Sequence, residues 1–182
     1  MTLKNTQADI EKAVAAILAQ ENGQDSGRPV IIIGHSWGGA AALETAQLLD
    51  DSSYPSTVDP EVLKQVTANV DLLFLIDAEL GGRWMKRSLR DNVNTTVNLH
   101  AQTIFPDRWW NVQNGVDYLE GAQNIAAPKW SNFGTGGWFG WHRVGHNNIT
   151  TIRDYQGNVV PNPETFNLVA DYATQTISAH HH

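Results

Sequence analysis

The chain has 182 residues, the length of one domain, and 41% hydrophobic against 17% charged residues is a globular composition. Its formal charge of −7 gives no electrostatic reason to bind nucleic acid or an anionic membrane. The absence of cysteine excludes disulfides, thiolate metal sites and cysteine nucleophiles. The start lacks a signal-peptide core, and no apolar run approaches the roughly 18 residues of a membrane span. We expect one domain over residues 1–179 and interpret residues 180–182 as the end of a purification tag.

Hydrophobic spacing predicts the elements of the first part of the chain. Apolar residues recur at helical intervals over residues 6–20, and Thr6 with Asp9 is a plausible capping box at the start of this helix. The β-branched run at residues 30–33 has no polar alternation, which is typical of a parallel strand buried on both faces. An Ala- and Leu-rich helix is predicted over residues 40–49.

The second part of the chain is predicted to supply three more strands and a final helix. Strands are expected at residues 70–76, 95–104 and 141–144, with mostly loop over residues 105–140. Asn162-Pro163-Glu164 predicts the cap of an amphipathic C-terminal helix. Strands that alternate with helices, without hairpin signals between them, indicate an α/β fold. We therefore expect a short, mostly parallel sheet of about four strands flanked by helices.

One motif between the first predicted strand and the following helix indicates chemistry. Gly34-His35-Ser36-Trp37-Gly38 matches the pattern G-x-S-x-G, for which about 0.05 chance matches are expected in the chain. A strand, a sharp turn and a helix are the setting in which a serine hydroxyl projects as a nucleophile. Side chains two positions to either side are expected to collide with the main chain, which predicts glycine there. The helix N-terminus favours developing negative charge, so the Trp37 N–H is a candidate oxyanion donor. The alternative is a glycine turn that only packs tightly.

With this motif in this setting, the sequence resembles the α/β-hydrolase-fold serine hydrolases of the lipase and esterase kind. In that family a histidine often precedes the nucleophile, as in Gly34-His35-Ser36. The resemblance implies a nucleophile, an acid and a histidine in that order along the chain. It also implies hydrolysis of a small-molecule acyl ester through an acyl-enzyme, for which we expect no cofactor.

The candidates for the acid follow the predicted strands. Asp77 stands directly after the strand at residues 70–76, at the edge where parallel sheets present functional side chains. Asp107 follows the next predicted strand, in the position that more members of the family use. Glu79 is a third candidate, whereas Asp91 and Asp117 are less well placed. We favour Asp77, with Asp107 as its main alternative.

The candidate base is His146. It lies between the last predicted strand and the last helix, which matches the loop that carries the catalytic histidine of the family. His142 is expected on a strand, His100 in mid-strand and His35 beside the nucleophile. His142 and His146 have a spacing that binds metal on a helix, but the valine and glycine between them argue against a helix. We therefore expect no metal site.

The resemblance covers only the back half of the family's fold. Only 29 residues precede Val30, so we expect this chain to lack the strands that come before the nucleophile in the full fold. The usual source of the second oxyanion donor is missing with them, and Leu80-Gly81-Gly82 is a candidate substitute. Residues 30–33 are expected to form a sheet edge with unpaired main-chain groups. We expect this edge to pair with a second copy of the chain, or the chain to be part of a larger protein.

Aromatic residues crowd the stretch before His146. They either stabilise a loop region or line an acyl pocket or flap over Ser36; stacking on sugar rings is a third interpretation. The candidate pocket residues are His35, Trp138 and Phe139. The tryptophans of this stretch are Trp109, Trp110, Trp130, Trp138 and Trp141.

Ester hydrolysis has two alternatives at this stage. Thioesterase or acyltransferase activity uses the same three residue types. A catalytically weak module that binds lipid or carbohydrate would keep the serine turn only as architecture. Reaction of Ser36 with a fluorophosphonate separates an enzyme from such a module, because only an activated serine reacts readily.

Overall fold

The structure is a computed structural model, and every statement about it concerns the residues that it describes. These are residues 3–21, 27–50, 68–78, 89–101, 118–127, 130–131, 142–143, 149–154, 156 and 158–180. No helix within these ranges combines the length and the apolarity that crossing a bilayer requires.

Four parallel strands form the main sheet, and their spatial order is their order along the chain. They are β1 (Ile31–His35), β2 (Val70–Ile76), β3 (Val93–His100) and β4 (Gln123–Ala126). Six of the seven residues of β2 are buried, because both faces of the sheet are covered at this strand. The expected α/β fold with a short parallel sheet of about four strands and flanking helices is confirmed.

Helices cover the two faces of this sheet. Helices α1 (Leu3–Glu21) and α2 (Trp37–Leu48) pack on one face, where they share a hydrophobic core with Leu73 and Leu75 of β2. Helix α3 (Pro163–His180) packs on the other face. There the ring of Tyr172 makes an edge contact with Phe74, with 5.7 Å between the ring centroids. The sheet is thus the middle of three layers.

The helix boundaries differ from the predicted ones at two N-termini and agree at the third. Helix α1 already begins at Leu3, so the proposed capping box at Thr6 is wrong. Helix α2 begins at Trp37, three residues earlier than predicted and directly after the motif serine. The predicted cap of α3 is confirmed, because Asn162 Oδ1 accepts a hydrogen bond from the Glu164 amide at 3.1 Å.

The fourth strand of the main sheet is not the predicted one. Residues 141–144 were expected there, but β4 lies within the stretch predicted as loop. Asn98 of β3 stands opposite Asn124 of β4, and its Nδ2 donates to the Asn124 Oδ1 at 2.9 Å. Asn124 also bonds to the main chain of Leu119 and Ala122. The polar sequence of β4 resembles a loop, yet the Asn124 side chain is satisfied by local main-chain groups and by Asn98, which is distant in sequence.

Two short antiparallel pairs lie outside the main sheet. Strands β5 (Trp130–Ser131) and β6 (His142–Arg143) form one pair, and β6 is all that the structure describes of the strand predicted at residues 141–144. Strands β7 (Thr151–Arg153) and β8 (Val159–Pro161) form a hairpin that the sequence did not predict. Asp154 organises its turn by accepting hydrogen bonds from the amides of residues 156 and 158.

Strand β1 lies at the edge of the main sheet, where it pairs with β2 alone among the described strands. This agrees with the expected edge. Ile33 lies on the same face as its register partner Phe74, but 49% of its surface is exposed. The expectation that this strand is buried on both faces is therefore wrong at Ile33. Pairing of the edge with a second copy stays a prediction.

Asp71 joins several elements at the amino ends of the parallel strands. Its carboxylate accepts hydrogen bonds from the Val30 amide at 2.8 Å and from Asn94 Nδ2 at 3.1 Å. The Nε2 of His180, the last residue of α3, lies 2.9 Å from Asp71 Oδ1. The polar residue of an otherwise apolar strand thus ties β2 to the start of β1, to β3 and to α3.

Candidate active site

Ser36 occupies a strained turn between β1 and α2. Its φ of 57° and ψ of −123° are rare for a residue with a side chain. Its amide donates to the Ile76 oxygen at 3.0 Å, which extends the pairing of β1 with β2 by one residue. A serine before a helix ordinarily caps it with its hydroxyl, but Ser36 makes no such bond.

The glycines around Ser36 have unequal steric roles. A Cβ at Gly34 would collide with the Gly38 oxygen and lie 2.6 Å from the Gly38 carbonyl carbon. A Cβ at Gly39 would lie 2.5 Å from the Cβ of Ala78. A Cβ at Gly38 would meet no described atom within 4 Å outside its own stretch of helix. The prediction that packing requires glycine agrees with the structure at Gly34 and finds no support at Gly38 among the described residues, whereas Gly39 was missed.

Gly34→Ala is expected to lower the free energy of unfolding by about 3 kcal/mol or more. The atoms in the way belong to the main chain of α2, which cannot move aside as a flexible side chain can. Urea unfolding monitored by tryptophan fluorescence measures the effect. Gly38→Ala is the matched control and should keep the stability of the parent protein. An unchanged urea midpoint for Gly34→Ala would contradict the close approach of β1 and α2.

Asp77 follows β2 directly and is held by the end of β3. Its φ is 43°, a left-handed conformation that aspartate tolerates better than most residues, and only 2% of its surface is exposed. Its amide donates to the Leu99 oxygen at 2.6 Å, and its Oδ1 accepts from the Ala101 amide at 2.9 Å. The main chain of β3 thus fixes the backbone of Asp77, and the residue directly after β3 fixes its carboxylate.

These residues stand in one row across the carboxyl edge of the sheet. His35 is paired with Ile76, and the bond from the Ser36 amide places Ser36 next to Asp77. Adjacent strands lie about 4.8 Å apart, so the structure brings these two residues close together. The same ladder places His100 beside Asp77 on the other side. His100 is the last residue of β3, whereas the sequence predicted it in mid-strand.

The start of α2 adds donors to this edge. By position, the amides of Trp37 and Gly38 have no acceptor within the helix, whereas the Gly39 amide donates to the Ser36 oxygen at 3.0 Å. These amides carry the positive end of the helix dipole. The Trp37 side chain is 48% exposed, and His35 is half-buried.

Several sequence candidates lie outside the described residues. They are the proposed base His146, the alternative acids Asp107 and Glu79, the pocket candidates Trp138 and Phe139, and the turn Leu80-Gly81-Gly82. For His142 the structure describes only the strand in which it lies. Their roles stay predictions.

The sequence interpretation also missed the residues that hold the site together. Leu99 and Ala101 bind Asp77 through their main chains, which no side-chain motif can reveal. Gly39 directly follows the second glycine of the motif, which is a sequence feature that could have drawn attention to it. Its steric role is explained only by the structure, in which Ala78 packs against it.

Comparison with known proteins agrees with this geometry. The model of the alpha/beta hydrolase family matches residues 4–156, a range that includes the serine turn and all four parallel strands. No curated protein and no solved structure matches the chain. The family match covers most of the sequence, and the parallel sheet with helices on both faces is the corresponding fold. The chain therefore belongs to the alpha/beta hydrolase family.

Proposed function

We propose that the protein hydrolyses carboxylic esters through an acyl-enzyme formed on Ser36, with His146 as the base and Asp77 as the acid. The observation that carries this proposal is the conformation of Ser36. Ser36 keeps a positive φ that is rare for a residue with a side chain, at the turn that leads directly into the N-terminus of α2. Such strain is typical of functional sites, and a projecting serine at a helix N-terminus is suited to nucleophilic attack.

The proposed reaction has two halves. His146 takes the proton of the Ser36 hydroxyl while Oγ attacks the ester carbonyl carbon, and the Trp37 amide stabilises the negative oxygen. The bond to the alcohol oxygen breaks, and the alcohol leaves with the proton from His146. Water then attacks the acyl-enzyme, gives a proton to His146 and releases the carboxylic acid, and Ser36 recovers its proton. Asp77 orients the histidine and stabilises its positive charge.

The position of Asp77 supports its choice over Asp107. It stands beside Ser36 in the row at the sheet edge, and two hydrogen bonds from the end of β3 hold it in place. A carboxylate fixed by main-chain groups orients a histidine without first losing side-chain freedom. The main-chain amides of Trp37 and Gly38, at the start of α2, lie at the same edge of the apolar sheet and add polar groups to the candidate site.

A fluorophosphonate probe is expected to label the folded protein at Ser36 with a stoichiometry of about one. The phosphorus–fluorine bond is replaced by a bond to the serine oxygen, and fluoride leaves. Intact-protein mass spectrometry measures the adduct, and peptide mapping locates it. The matched control is heat-unfolded protein, in which Ser36 loses its helix N-terminus and its base and should not react.

Labelling is to be paired with turnover of p-nitrophenyl butyrate and of the corresponding thioester. Labelling with faster ester than thioester turnover supports the proposal. Labelling with preferred thioester turnover assigns the same site to a thioesterase. A folded protein that neither reacts with the probe nor turns over either substrate would contradict an enzymatic role.

A further inference from the structure

The turn that carries Ser36 is closed by a hydrogen bond between its two ends. The Gly39 amide donates to the Ser36 oxygen at 3.0 Å, so Trp37 and Gly38 are the central residues of this turn. The first end is joined to the sheet, because the Ser36 amide donates to the Ile76 oxygen. The amides at the start of α2 therefore lie between this anchored end and Gly39.

Ala78 contacts the second end of the turn. Its side chain is buried, belongs to the core that β2 shares with α2, and packs against Gly39. A Cβ added at Gly39 would lie 2.5 Å from the Cβ of Ala78 and 2.9 Å from its Cα, so the contact has no space for a larger residue. Ile76 and Ala78 flank Asp77 in the sequence. The strand end that carries the proposed acid thus contacts both ends of the serine turn.

We infer that Ala78 is a positioning residue, which acts through Gly39 to fix the amides at the start of α2. The inference rests on the proposed function, in which the Trp37 amide stabilises the negative oxygen. An oxyanion donor is effective only at about 2.7 to 3.1 Å from that oxygen. Misplacement by about 1 Å can cost about 10²-fold in rate. Loss of the Ala78 methyl group would free the first turn of α2 to move by such a distance.

The first test compares Ala78→Gly with the parent protein in the hydrolysis of p-nitrophenyl butyrate. The kcat is expected to fall about tenfold with little change in KM, because the negative oxygen forms only after the ester is bound. Ala46→Gly is the matched control, since it removes a buried methyl group from the same core but lies seven residues after Gly39. Both variants should have lower urea midpoints, and Ala46→Gly should keep the kcat of the parent.

A transition-state analogue gives a readout that a loss of folded protein would not change. The Ser36 oxygen adds to the carbonyl carbon of propyl trifluoromethyl ketone, the hydroxyl proton passes to His146, and the carbonyl oxygen becomes negative. The alcohol obtained by reduction of this ketone binds without the addition. In Ala78→Gly the inhibition constant of the ketone should rise about tenfold, in step with the fall in kcat, and that of the alcohol should stay unchanged.

Two results would overturn the inference. One is a ratio of the two inhibition constants that is the same in Ala78→Gly as in the parent. The other is an equal change of this ratio in Ala46→Gly, which would show a general effect of the core. If Ala78→Gly does not fold, Gly39→Ala decides in its place, because the added methyl group displaces the same turn from the other side of the contact.

The parent protein separates this inference from the proposed function. If it hydrolyses the ester and binds the ketone more tightly than the alcohol, but Ala78→Gly keeps the same ratio, only the inference on Ala78 fails. If the parent hydrolyses no ester and binds the ketone no more tightly than the alcohol, the proposed function fails and the inference fails with it.

Discussion

Ser36→Ala is expected to lower the kcat for p-nitrophenyl butyrate about 10⁶-fold and to abolish labelling by the fluorophosphonate. The proposed base and oxyanion donor remain in the variant, but no oxygen is left to form the acyl-enzyme. Stopped-flow and long-incubation assays of the purified variant measure the loss. The fold should be kept, because alanine at this turn has the same unfavourable φ as serine, and circular dichroism checks this.

Ser36→Gly is the matched variant that separates chemistry from strain. It should be as inactive as the alanine variant, yet more stable than the parent by about 1 kcal/mol, because glycine adopts the observed φ without steric cost. Turnover retained by either variant would contradict the nucleophile. Equal stability of the two variants would contradict the strain at this turn.

Asp77→Asn is expected to lower kcat about 10⁴-fold and to leave the fold unchanged. The asparagine oxygen can still accept the hydrogen bond from the Ala101 amide, and asparagine also tolerates the left-handed backbone. The variant loses the negative charge that orients the histidine and stabilises its protonated form. Ester turnover measures the effect, and circular dichroism establishes that the fold is kept.

Asp107→Asn is the control that decides between the two acids. It should retain activity within about tenfold of the parent if Asp77 is the acid. The reverse pattern, with an active Asp77→Asn and an inactive Asp107→Asn, would assign the role to Asp107. Asp77→Ala adds a stability readout, since it leaves the buried Ala101 amide without its acceptor and should cost about 1–3 kcal/mol.

The parts of the fold that the sequence predicted are those with strong local patterns. Strand β2 has the predicted bounds, because seven residues with one polar member match a strand buried on both faces. The Asn162 cap of α3 was equally local. Strand β4 escaped prediction because it has four residues and two are polar. The Asn124 side chain also bonds to Asn98, a contact distant in sequence that exists only in the folded protein.

In the candidate site too, local sequence patterns predicted some features, and others depend on contacts made by folding. The motif predicted a sharp turn at Ser36, and the position after a strand pointed to Asp77. The hydrogen bonds that hold Asp77 come from the main chain of Leu99 and Ala101, which are distant in sequence. No residue type predicts them. The role of Gly39 depends likewise on Ala78, which lies on the far side of a crossover. The sequence identified the candidate reactive side chains, whereas the contacts that position them are visible only in the folded sheet.

The hydrogen bonds that continue the sheet beyond the ends of its strands have an evolutionary consequence. Ser36 and Asp77 are positioned by main-chain bonds to the neighbouring strand, which any sequence able to form the strands would preserve. Substitutions in the segments that join the strands can therefore accumulate without altering the spacing of these two residues. New substrates would then be acquired through the connecting segments, while the reaction itself is inherited with the sheet.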